Sequence, residues 1–135
     1  MKPQLGWLKG NVDATTFTSK GMVSYGGVVR HSNGSFVTAK YGCLLGKFNA
    51  REAEALVVRK ILIWLKDMQF PHVIIEMDCL QVYNTLVDKL SSPNGFGLII
   101  DDCRALVMFV GEVIFSFIRR PLPMLLHGWE ILCQI

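Results

Sequence analysis

The apolar positions of this chain follow two rhythms. From Trp7 to Phe17 the apolar residues, Leu8 and Val12 among them, predict a first strand. Met22 to Arg30 predicts a second strand and Ser35 to Gly42 a third. His31-Ser32-Asn33-Gly34 between them is a hairpin turn, because Asn and Gly tolerate positive φ. The spacing then lengthens. Ala53, Val57, Ile61, Trp64 and Met68 recur every three or four residues and predict a helix within Ala50 to Phe70. Asn49 followed by Glu52 matches a capping box, and Pro71 stops the helix. His72 to Met77 is a β-branched run, expected of a central strand buried on both faces. Cys79 to Leu90 reads as a second helix, with Leu80, Tyr83, Leu86 and Val87 on one side, and Ser91 to Gly95 as a loop. Leu98 to Phe109 reads as a third helix and Glu112 to Ile118 as a last strand. The order βββ-α-β-α-α-β predicts an α/β fold: a mixed five-stranded sheet led by three antiparallel strands, with helices on its faces.

Composition narrows this picture only a little. A chain of 135 residues fits one domain with one core. A net charge of +3 and a pI near 8.7 permit nucleic acid as a partner without requiring it. The longest apolar stretch, Ala105 to Ile118, is interrupted by Gly111 and Glu112 and is too short to span a bilayer, so no membrane partner is expected. No secretory signal pattern opens the chain. Cys43, Cys79, Cys103 and Cys133 lack the paired spacing of a metal site and read as reduced thiols of an intracellular protein, nuclear or cytoplasmic.

Three acidic residues carry the candidate chemistry: Asp13 in the first strand, Glu54 early in the first helix and Asp78 at the end of the fourth strand. Carboxylates at strand ends and on a covering helix can converge on one point. Converging carboxylates repel one another unless a hard divalent cation lies between them. Taken singly, each has a simpler role. Asp13 would be a turn residue, Glu54 a first-turn acid favoured by the helix dipole, and Asp78 an N-cap for the helix at Cys79. Glu76 is expected to face away from Asp78 as a peripheral charge. Asp101 and Asp102 read as a solvated helix start, and His31 and His72 as turn and strand-edge residues.

The element order and several segments resemble the ribonuclease H fold, in particular the reverse-transcriptase-like ribonuclease H domain of plants, related to non-LTR retrotransposons. The segments are Gly6 to Ala14, Tyr25 to Arg30 with Ser32-Asn33-Gly34, Ala53 to Leu56, Ile75 to Asp78, Ile99 to Cys103 and Phe115 to Arg120. Together they run through residues 3–120 in family order. The resemblance implies that Asp13, Glu54 and Asp78 are catalytic residues and ligands of two Mg²⁺ (or Mn²⁺) ions. It implies a metal-dependent endonuclease that hydrolyses the RNA strand of RNA–DNA hybrids as a monomer, its partner nucleic acid (a hybrid or RNA). The rival implication is an inactive, retrotransposon-derived nucleic-acid-binding or interaction module with the same fold.

 

The end of the chain departs from that family. The family closes with a small-residue segment and an Asp or His that opens a last helix and supplies a fourth ligand. Here Arg120 is followed by Pro121-Leu122-Pro123, which disfavours helix. Residues 1–120 are therefore read as the domain and 121–135 as an atypical tail with an aberrant last helix. Counting along the chain puts His127 at the fourth-ligand position, but its neighbours do not match, and a tail histidine without a partner is the expected reading. A shifted reading frame would explain the tail: with one choice of codons, dropping a pair of bases turns it into Ser-Ala-Asn-Ala-Val-Ala-Trp-Leu-Gly-Asn-Thr, close to the family ending. The loop after Leu90 carries no Lys or Arg, so the basic protrusion that grips the duplex in many relatives is absent.

Overall fold

A computed structural model describes residues 6–17, 20–88 and 94–119. The predicted tail, 121–135, lies outside the described residues, as does His127. Eight elements are seen: β1 (Leu8–Phe17), β2 (Met22–Arg30), β3 (Phe36–Leu45), α1 (Ala50–Met68), β4 (His72–Met77), α2 (Leu80–Asp88), α3 (Gly95–Val110) and β5 (Glu112–Phe117). They form the predicted mixed sheet of five strands, ordered β3-β2-β1-β4-β5. β1 pairs antiparallel with β2, and β2 with β3. β4 lies parallel to β1 on one side and to β5 on the other.

Local chemistry explains where the elements begin and turn. In the β2–β3 hairpin Gly34 takes φ +92°, which a residue without Cβ adopts at no steric cost. Asn33 contributes through its side chain instead, its Oδ1 accepting from Ser35 N at 2.9 Å and Ser35 Oγ at 2.7 Å. α1 opens on the expected capping box. Asn49 Oδ1 accepts from Glu52 N at 2.8 Å, and Glu52 Oε1 accepts from Asn49 N at 3.3 Å. Substituting Asn49→Ala removes that acceptor and should lower stability by about 1 kcal/mol, read as a shift in the urea midpoint at unchanged slope.

The two faces of the sheet differ. Gly27, the register partner of Val12, is approached so closely by α1 that an added Cβ would meet Ile61 Cδ1 at 2.7 Å. Val12 and Gly27 thus face the helices. So do Val73, Ile75 and Met77 of β4, which join the main core with Ile61, Leu62 and Leu65 of α1 and Ile100 and Cys103 of α3. α1, α2 and α3 also pack on one another. The alternate residues, Asn11 and Asp13 on β1 and Ile74 and Glu76 on β4, point to the other face.

Cys103 lies deep in the core, its thiol donating to Ala55 O at 3.7 Å. Burial pushes that thiol up to about 12 from 9.0, the Arg59 charge opposing the rise and Asp102 adding to it. Below pH 9 folded and unfolded thiols are both protonated, and the contribution to stability is complete. As pH rises from about 9 to about 12 the unfolded thiol ionises first, so stability falls over that window. Cys103 should therefore resist iodoacetamide at pH 8 in the native protein and react on unfolding, as mass spectrometry would show. Cys79 is likewise a free thiol. Cys43 departs from the expectation of reduced cysteines, because it is disulfide-bonded.

Candidate active site

Asp13 lies in β1, and Asp78 directly follows β4, the parallel neighbour of β1. β1 and β4 run in parallel with Leu8 opposite Val73 and Asn11 opposite Glu76. That paired register ends at Asn11 and Glu76, two residues before Asp13 and Asp78 respectively. Asp13 is only 4% exposed, a costly place for a carboxylate without compensating partners. Its position is dictated by alternation: Val12 must face the core, so Asp13 faces away from it.

Glu54 approaches from α1. It falls on one helical stripe with Val58, Ile61 and Leu65, all buried. That stripe turns Glu54 inward at the start of the helix, where it is half-buried. Its nearness to Asp78 is felt by Cys79. The Cys79 thiol is raised mainly by burial, and both carboxylates raise it further, while backbone N–H groups of Val82 and Gln81 oppose the rise. Those backbone donors also revise an expectation. α2 begins at Leu80, so Cys79 rather than Asp78 occupies the N-cap position, and its sulfur receives the N–H groups of the first turn.

Glu76 is a second correction. Residues two apart on a strand share a face, so Glu76 points the same way as Asp78, not the opposite way. Nor is it peripheral: it is 4% exposed, and its Oε1 lies 3.3 Å from Lys9 Nζ across the β1–β4 ladder. Sequence alternation carried this signal. Arg30, register partner of Lys9, occupies the same face.

Oxygen donors from three carboxylates suit a hard divalent cation. Among the described residues, however, no group of three or more His, Cys, Asp or Glu side chains stands close enough to hold a metal ion. β1, α1 and the end of β4 carry Asp13, Glu54 and Asp78, without gathering the three side chains into a coordination shell.

The comparisons agree with this architecture. The chain is similar to RNase H1 of the archaeon Halobacterium salinarum, at 16% identity and a TM-score of 0.75 over 84% of this chain and 86% of that one. It is similar to LC11-RNase H1, isolated from compost and solved with an RNA/DNA hybrid, at 16% identity and a TM-score of 0.72 over 84% and 86%. A foamy viral protease–reverse transcriptase solved with dsDNA matches at 13% identity and a TM-score of 0.67 over 95% and 90%. These likenesses define a ribonuclease H-like fold. The reverse-transcriptase-like family profile matches residues 11–122, and the chain belongs to that family. No curated protein is significantly similar to it.

Proposed function

We propose that the chain is a divalent-metal-dependent endonuclease that hydrolyses the RNA strand of RNA–DNA hybrids. The observation that carries this reading is the reverse-transcriptase-like family match over a ribonuclease H-like sheet whose β1 and β4 pair in parallel. Asp13, Glu54 and Asp78 would hold Mg²⁺ or Mn²⁺, two ions in all, which when bound supply an activated water and stabilise the leaving oxygen of the phosphodiester. The chain's own residues set the frame. Burial of Val12 and Met77 against the helices fixes the strands from which Asp13 and Asp78 project. The capping box at Asn49 and Glu52 fixes the first turns of α1, from which Glu54 projects. The neighbours solved with nucleic acid support a nucleic-acid partner here, and contacts to 2′-hydroxyl groups would distinguish the RNA strand. The family membership is consistent with descent from a plant non-LTR retrotransposon.

The test is cleavage of a labelled RNA–DNA hybrid with Mg²⁺ or Mn²⁺, against an EDTA control and an all-DNA duplex. Metal-dependent cleavage of the hybrid alone is expected. A second reading rests on Pro121 and Pro123, which stand where the family opens its last helix: a folded but inactive nucleic-acid-binding module. Hybrid binding without cleavage in either metal would favour it.

A further inference from the structure

The sheet face turned away from the helices is buried at its centre. Ile74 of β4 is 2% exposed, and Val28 of β2, register partner of Asn11, is 8% exposed. Met22, on the same face of β2 by alternation, is buried too. α1, α2 and α3 pack on the opposite face, and Ile74, Val28 and Met22 stand outside the core they build. Apolar side chains on an uncovered sheet face keep much of their surface in water, and these do not. Cys43 of β3 shares this face, as the register partner of Ser24, itself the partner of Thr15. It is exposed and disulfide-bonded, whereas Cys79 and Cys103 are free. Of the four cysteines in the sequence, Cys133 is the one left to bond it within the chain.

We propose that residues 120–135 cover this face and that a Cys43–Cys133 disulfide latches them to β3, so that redox state decides whether the face is covered. The described chain leaves the sheet at Arg119, just beyond β5, on the edge opposite β3. Crossing from one edge strand to the other takes roughly 19 Å at the usual strand spacing. The fourteen residues from Arg119 to Cys133 reach about 46 Å when extended, so the span is within their length. Leu125, Leu126, Trp129, Ile131 and Leu132 supply the apolar surface such a cover needs. Exposed disulfides are the readily reduced ones. A dithiol reductant opens the latch: its first thiolate attacks one sulfur and the S–S bond breaks, then its second thiolate closes the reductant's own disulfide. Cys43 and Cys133 each end as a protonated thiol, and an electron pair passes from the reductant to the protein. The latch requires no metal and no nuclease activity.

The experiment starts from the full chain purified without reductant, alkylated in urea, digested and mapped by mass spectrometry. A Cys43 peptide linked to a Cys133 peptide is expected, with Cys79 and Cys103 alkylated. Hydroxyl-radical footprinting of the folded chain then compares Met22 with and without a dithiol. Oxidation of Met22 should rise severalfold on reduction, while the already exposed Met108 stays constant. Cys133→Ser should behave as the reduced chain does. Alkylated Cys43, a Cys43–Cys43 link between two chains, or protection of Met22 that survives reduction would each overturn the proposal. Core Cys103 reports on unfolding: if it reacts with iodoacetamide whenever Met22 becomes exposed, the disulfide holds the whole fold and the latch is overturned. If Cys133→Ser fails to fold, reduction of the wild-type chain decides by the same readouts.

Discussion

Asp13→Asn should abolish metal-dependent cleavage of an RNA–DNA hybrid while leaving the fold intact. The substitution is nearly isosteric, so the packing around Val12 and the β1–β2 and β1–β4 ladders is retained. What changes is charge at a buried position of β1. An amide is a poor ligand for a hard cation beside a carboxylate. A rate loss on the order of a thousandfold is expected, equivalent to ~4 kcal/mol of transition-state stabilisation. Single-turnover cleavage with matched circular dichroism spectra measures it. Retained activity in this variant would remove Asp13 from the site and with it the proposed mechanism.

Leu62→Ala should have the largest effect on stability. Leu62 lies in the middle of α1, 0% exposed, within the core that joins the helices to the sheet. Truncation removes buried methyl groups and leaves a cavity that tightly packed neighbours fill only in part. A loss of about 3 kcal/mol is expected, or roughly 10 °C in Tm for a domain of this size. The adjacent Ile63, 36% exposed, is the control, and its replacement by alanine should cost less than half as much. Thermal or urea unfolding of both variants checks the ordering.

Much of this architecture was legible in the chain because period and punctuation agree. β2 ends where Arg30 meets the Asn33-Gly34 turn, and α1 starts at the Asn49–Glu52 box. Other boundaries depended on partners distant in sequence. β3 runs on to Leu45 because Met22 at the start of β2 pairs with it, a constraint no local pattern in β3 reveals. α3 starts at Gly95, before its expected first residue, because Asn94 Oδ1 accepts from Gly97 N at 3.0 Å. Two glycines in that first turn masked the cap signal. At the site, the acidic trio was visible as residue types on successive elements. The Lys9–Glu76 pair was not, since it requires the β1–β4 register, and the Cys79 cap was hidden because sulfur is a rare N-cap acceptor.

The parallel pairing of β1 with β4 also governs when the sheet is completed. Both hairpin ladders join strands that are neighbours in sequence and can close early. β1 and β4 meet only after β2, β3 and α1 have been made and the chain has crossed over, so their pairing carries the loop-closure entropy of a long-range contact. On the ribosome, where residues emerge at roughly 5–20 per second, a nascent chain that has delivered only the first three strands holds β1 in its ladder with β2 and leaves its other edge unpaired. The complete sheet is thus a late product of synthesis: the meander is built first, and β4 slots in beside β1 afterwards.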